Sequence, residues 1–260
     1  MITIPLVRGF GPNALVAYRG GRAIGIEQFL RDAGKLASTL PERRHVLNLC
    51  TDRYRFAVGF AAALLRGHVS LLPPNDTPDL IKRLISQYPD VYGLNDREMG
   101  AISLETLEVP VGADAEPGAP VPVVPVVPEA QVAAILFTSG STGQPVPYRK
   151  TWGSLVRSAH AEIESLGPRA RPGMVMLGTV PPQHSYGLES TLLMVLQGGL
   201  ALHAERPFFP ADVRAALAAL PRPRSLVTTP VHLRVLLAEA DSPPPADLLL
   251  CATAPLSPQL

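Results

Sequence analysis

The chain has 260 residues, enough to bury a proper hydrophobic core without disulfide staples. Apolar residues make up 47% and charged residues only 17%, a balance that excludes disordered, collagen-like and coiled-coil chains. Lys plus Arg number 23 against 22 Asp plus Glu, and a formal net charge of +1 provides no broad field for nucleic acid or an acidic membrane, so any anion has to be bound locally.

Cys50 and Cys251 lack CxxC or Cys/His metal spacing and fit two thiols filling core space in a reducing compartment. Phe56 to Leu65 and Leu192 to Leu202 are too short or too interrupted to span a bilayer, and Arg8 cuts off any signal-peptide apolar region. The expectation is a cytoplasmic protein with no membrane span.

In chain order, Ala14 to Ile26 holds two short apolar runs around Gly20-Gly21 and predicts a hairpin. From Glu27 on, Phe29, Leu30, Ala33, Leu36, Ala37 and Leu40 recur at helical spacing. Strands follow at His45 to Cys50, Val69 to Leu72 and Val91 to Leu94, separated by helices at Arg53 to Leu65 and Pro78 to Gln87. Six prolines between Val109 and Glu129 predict an extended crossing segment. Alternation resumes with strands at Val132 to Phe137, Met174 to Thr179, Leu200 to His203, Ser225 to Thr228 and Leu248 to Cys251. The helices between them cover Gly153 to Leu166, Leu188 to Leu196, Ala211 to Leu220 and Val231 to Ala240. Such alternation predicts an α/β fold with mostly parallel sheets flanked by helices. A division follows from the proline-rich stretch: a first α/β part over residues 1–109, a crossing segment over 110–129, and a second α/β part over 130–260.

Chemistry concentrates after the strand that ends at Phe137. Thr138, Ser139, Gly140, Ser141, Thr142 and Gly143, followed by Gln144-Pro145, bring hydroxyls and glycines to the carboxyl edge of a parallel sheet, where α/β folds bind ligands. Glycines admit a phosphate close to the main chain, and successive N–H groups can form an anion nest to which the hydroxyls add donors, although composition alone fits a plain turn equally well. The run is neither a Walker motif nor GxGxxG, and Ser139 occupies the place where a nucleophile elbow needs glycine.

This run resembles the TSGSTGxP phosphate loop of the adenylate-forming superfamily, which includes acyl-CoA and aryl-CoA synthetases, peptide-synthetase adenylation domains and luciferases. A second segment, Pro181-Pro182-Gln183-His184-Ser185-Tyr186-Gly187-Leu188-Glu189, is similar to that family's downstream motif. Ala252-Thr253-Ala254-Pro255-Leu256-Ser257 resembles the segment that opens its acyl pocket. The loop variant together with the second segment looks like ligases of aryl-polyene and xanthomonadin-type pigment pathways. The resemblance implies ATP-dependent activation of an aryl or acyl carboxylic acid as acyl-adenylate, with Mg²⁺, and transfer to a CoA or acyl-carrier-protein thiol. It implies that residues 138–143 surround the ATP phosphates, that His184 is catalytic beside the carboxylate, and that His184, Tyr186, Gly187, Ala252, Thr253 and Ala254 border the acid.

The family's lysine after the loop proline is replaced here by Val146, and its role is handed to Lys150 or Arg149; Lys35, Lys82 and Lys150 are the only lysines. No protein-held metal is expected, because the six histidines lack paired-ligand spacing. Trp152 is expected to pack at a helix start, and Glu189 to act as a helix N-terminal acid. The family's later motifs, its hinge and its small domain with the catalytic lysine are expected beyond Leu260. Two other readings stand beside the ligase: a nucleotide-binding fragment without turnover, and a hydrolase using Ser141.

Overall fold

Each change of apolar period along the chain marks a change of element, and the elements assemble by strand pairing into two six-stranded sheets and one two-stranded sheet. A computed structural model describes residues 1–11, 13–97, 103–110, 122–139, 145–239 and 242–256, with the main chain alone for Thr138, Ser139 and Pro145. Two compact units are formed, one from Met1–Leu6 with Glu27–Arg157, the other from Val7–Ile26 with Ser158–Leu260. This division departs from the linear one at 109 and 130, because pairing decides membership. The early hairpin joins the second unit's sheet, and the strands on either side of the hydroxyl-rich loop join the first.

In the first unit, β4 (His45–Asn48) lies between β5 (Val69–Leu72) and β6 (Val91–Asn95), all parallel. β7 (Thr106–Glu108) extends the β6 side in parallel, and β9 (Val132–Ser139) extends the β5 side. β10 (Pro145–Thr151) closes that edge antiparallel to β9, where the sequence pattern indicated no strand. Helix α2 (Arg53–Leu65) joins β4 to β5 and is buried almost all round. Asp52 caps it, its carboxylate accepting the Arg55 N–H at 2.9 Å. Gly59 lets it approach the sheet closely, since a Cβ there would meet Asn48 Nδ2 and Leu94 Cδ1 at 2.9 Å each.

Helix α3 (Pro78–Gln87) buries Leu80, Ile81 and Leu84 against Leu47, Leu71, Val91 and Ile135 of the strands. Each such side chain contributes about 1.5–3 kcal/mol. The end of the proline-rich stretch forms β8 (Val126–Pro128), paired antiparallel with β1 (Thr3–Pro5) in a separate two-stranded sheet; residues 111–121 lie outside the described residues.

The second unit repeats the plan. β11 (Val175–Gly178) lies between β12 (Ala201–His203) and β13 (Arg224–Thr228), with β14 (Leu248–Cys251) beyond β13, all parallel. β2 (Leu15–Arg19) adds in parallel to β12, and β3 (Arg22–Gly25) returns antiparallel. Their turn uses Gly20 and Gly21 at φ 54° and 75°, both in the left-handed region that a tight hairpin demands. Helices α7 (Pro210–Ala219) and α8 (Pro230–Leu237) cover the sheet with Val213, Leu217 and Leu236. Helices α1 (Ile26–Thr39) and α4 (Trp152–Leu166) begin close to the expected positions, and Trp152 is fully buried at the start of α4. Among the described residues no helix is long and apolar enough to cross a membrane.

Candidate functional site

The first motif sits on the hairpin of the first unit. β9 runs parallel to β5, so its end at Ser139 opens at the carboxyl edge of the parallel sheet. Ser139 pairs with Pro145, and the loop between them is residues 140–144. Gly140, Ser141, Thr142 and Gly143 lie outside the described residues, while Thr138 and Ser139 are described by their main chain as the last two residues of β9. Lys150 pairs with Ala134 near the other end of the hairpin, five residues along β10 from Pro145. At about 3.3 Å per residue that is about 16 Å of strand, so the hairpin does not bring Lys150 to the loop. Arg149, opposite Ile135, is four residues along.

At the same edge lies Asp96, which no motif or spacing singled out. Its carboxylate, just past β6, accepts the Thr51 N–H at 2.7 Å and the Asp52 N–H at 2.6 Å, tying the loop after β4 to the loop after β6. The neighbouring Cys50 thiol is buried, and burial, reinforced by Asp96, pushes its pKa well up. This thiol is a core filler, as expected.

The second and third motifs lie together in the second unit. After β11 the chain passes Thr179 to Gln183, and His184 caps the one-turn helix α5 (Ser185–Gly187) with extended backbone. The His184 carbonyl accepts the Leu188 N–H at 2.7 Å, and its side chain is exposed. Gly187 is required here, since a Cβ would fall 2.0 Å from the Pro181 carbonyl oxygen. The Tyr186 hydroxyl donates to the Leu250 carbonyl at 2.9 Å and the Thr228 carbonyl at 3.2 Å. Burial raises the Tyr186 pKa, keeping the phenol a donor. The Thr228 carbonyl also faces the Ala252 N–H at 3.4 Å, so one acceptor at the end of β13 joins Tyr186 to the segment carrying Ala252, Thr253 and Ala254. Thr253 and Ala254 are exposed, and Thr253 has φ 85°, a left-handed conformation that is an outlier for a β-branched residue.

Below this edge, Thr179 Oγ1 lies 2.9 Å from Thr228 Oγ1 and 2.8 Å from His232 Nδ1. Burial, with Arg206 nearby, lowers the His232 pKa, favouring the neutral ring. Neither threonine stood out in the sequence; their signal is the position directly after β11 and at the end of β13. Glu189 accepts from the Ser185 hydroxyl at 3.0 Å within the same helix. Three of the other histidines have side-chain partners: His45 with Asp90, His68 with Tyr92 and His203 with Glu205. Among the described residues no group of three or more His, Cys, Asp or Glu is placed to hold a metal ion.

Comparison with known proteins agrees with this architecture. A 4-coumarate–CoA ligase from Rhodobacter capsulatus is 32% identical over 123 residues, which is 47% of this chain and 31% of the ligase. The ATP-bound structure of MatB from Rhodopseudomonas palustris superposes with a TM-score of 0.75 at 19% identity, covering 94% of this chain and 53% of MatB. The O-succinylbenzoate CoA synthetase MenE from Bacillus subtilis, in complex with ATP and magnesium, gives 0.73 at 16% identity, covering 96% and 70%. The chain thus spans about half the length of MatB and matches under a third of the curated relative. The family model of the AMP-binding enzymes matches residues 12–260, nearly the whole sequence, and the chain belongs to that family.

Proposed function

We propose that this chain carries the ATP- and acid-binding part of an AMP-forming acid:thiol ligase. The observation that carries the reading is the hydroxyl- and glycine-rich run leaving a parallel sheet at its carboxyl edge, in a chain of the AMP-binding family. In this reading Thr138, Ser139, Gly140, Ser141, Thr142 and Gly143 surround the β- and γ-phosphates. His184 orients the carboxylate, and Tyr186, Gly187, Ala252, Thr253 and Ala254 border the acid. The Tyr186 hydroxyl and the Ala252 N–H share the Thr228 carbonyl, which supports one pocket wall built from two motifs.

A carboxylate resists attack by a thiol because it would have to expel oxide. Its oxygen instead attacks the α-phosphorus of ATP, pyrophosphate leaves, and the thiol of CoA or of a carrier-protein phosphopantetheine then displaces AMP from the acyl-adenylate. Negative charge accumulates between α-phosphate and pyrophosphate, so positioned N–H and O–H donors lower the barrier. Mg²⁺, carried in with the substrate ATP, would neutralise part of this charge.

The acid is an aryl or unsaturated acyl carboxylate. The likeness to 4-coumarate–CoA ligase supports this class, and the Pro-Pro-Gln-His-Ser-Tyr-Gly-Leu-Glu run supports a place among pigment-pathway ligases. In the full-length protein, acid-dependent exchange of pyrophosphate into ATP is expected with hydroxycinnamates or hydroxybenzoates. Exchange confined to amino acids, or ATP binding without exchange for any acid, contradicts the reading.

A further inference from the structure

The helix that follows His184 departs from α geometry just where the second motif ends. Between α5 and α6 (Met194–Gly198), the six residues Leu188–Leu193 are π-helical, with the Met194 N–H donating to the Glu189 carbonyl five residues back. A π-turn is rare, gathers at functional sites and needs something to hold it. Two hydroxyls do so: Thr191 donates back to the Gly187 carbonyl, and the buried Ser190 donates to Glu162 Oε1 at 2.6 Å.

Glu162 reaches across from α4. Its neighbour Ile163 touches the same helix further along, where a Cβ on Gly198 would meet Ile163 Cδ1 at 2.8 Å. Helix α4 therefore grips the far helix at one polar and one apolar point. The extra residue of the π-turn shifts everything before it by one position relative to the rows after it. Leu188, Leu192 and Leu193 are all buried, while His184 and Ser185 stay exposed at the sheet edge.

We propose that Glu162 is a positioning residue of the acid site: by holding Ser190 it fixes the π-turn, and through it the placement of His184 and Tyr186. Its catalytic consequence rests on the ligase reading above; the clamp itself does not. Glu162 touches no reacting atom in this account, so its loss misplaces the acid rather than removing a chemical group.

The test uses the full-length protein with Glu162→Ala, Glu162→Gln, Ser190→Ala and the Glu162→Ala/Ser190→Ala pair. Two quantities are read: amide hydrogen exchange over residues 184–194, and KM for the acid against kcat in pyrophosphate exchange. Glu162→Ala and Ser190→Ala should each speed amide exchange there and raise KM by about tenfold, with kcat changed by less than about threefold. Glu162→Gln, which keeps an oxygen acceptor for Ser190, should restore both, and the double variant should be no worse than either single one. Unchanged amide exchange in Glu162→Ala, or Glu162→Gln as damaged as Glu162→Ala, overturns the proposal. So does lowered thermal stability with KM unmoved in an active protein. If the wild-type protein shows no acid-dependent exchange at all, the ligase reading fails, and amide exchange over 184–194 alone decides the clamp.

Discussion

The two six-stranded sheets share one plan and differ where chemistry is expected. In each, a first strand is flanked by the second and third of its series, β5-β4-β6 in one and β12-β11-β13 in the other, with a fourth strand, β7 or β14, beyond the third. In each, a hairpin adds in parallel beside the second strand and turns back antiparallel, β9 with β10 or β2 with β3. One hairpin closes through Gly20-Gly21, the other through residues 140–144. A two-residue turn spends its amides on chain reversal, whereas the sequence between Ser139 and Pro145 carries the hydroxyls and glycines proposed above to meet the phosphates.

The crevices between the first and third strands differ as well. In the first unit the protein's own carboxylate, Asp96, occupies the amides of Thr51 and Asp52. In the second, neutral hydroxyls of Thr179 and Thr228 meet His232, and Tyr186 anchors the neighbouring loops. A carboxylate ties the two loops in the first unit, and hydroxyls with an imidazole do so in the second. The shared scaffold offers equivalent places in both sheets, and the residues in the loops distinguish them.

The hairpin contrast breaks most sharply in activity. Thr142→Ala with Gly143→Val should lower pyrophosphate exchange by at least about 10²-fold through lost donors and a crowded cradle. Gly20→Ala with Gly21→Ala strains two left-handed residues but meets nothing within 4 Å, so it should cost only stability, about 1 kcal/mol per site, with exchange retained. The crevice contrast comes next. Asp96→Ala strands two amides that now bond a carboxylate and should destabilise by about 2–3 kcal/mol in denaturant titration; Thr179→Val, removing neutral bonds, should cost about 1 kcal/mol.

A smaller effect has the opposite sign. Thr253→Gly removes the strain of φ 85° and should raise stability by about 1 kcal/mol in denaturant titration. The smallest is a pH effect. The folded-state pKa of His232 is depressed by burial, so its neutral form stabilises the fold above the ordinary value of 6.5, and that contribution is lost as pH falls toward the lowered folded value. Stability measured from pH 7 to 5 should fall less in His232→Gln than in the wild-type protein.

Local signals made much of the first sheet legible. Helix α2 carries an aspartate cap at Asp52 and ends before Gly67 at φ 73°, so both ends were readable, and the apolar run Val69–Leu72 is a strand buried on both faces. Strand β10 was not readable, because Pro145 and Pro147 beside Arg149 and Lys150 look like a loop. An edge strand tolerates such residues since one side of its ladder is unpaired. The early hairpin was legible as a hairpin, but its partner β12 lies nearly two hundred residues away, and no local pattern encodes that pairing. The motif residues were legible as types and order. Asp96, Thr179, Thr228 and Glu162 were not, because each matters through a partner distant in sequence.

The central claim, that the five-residue hairpin loop of the first sheet receives the ATP phosphates, is tested most directly by photo-crosslinking the full-length protein with an ATP analogue reactive at its γ-phosphate. Peptide mapping should locate the adduct within residues 138–145, with labelling suppressed by excess ATP. Competable labelling that spares this segment and falls instead on the Gly20-Gly21 turn, or on the loops around Asp96, would contradict the account.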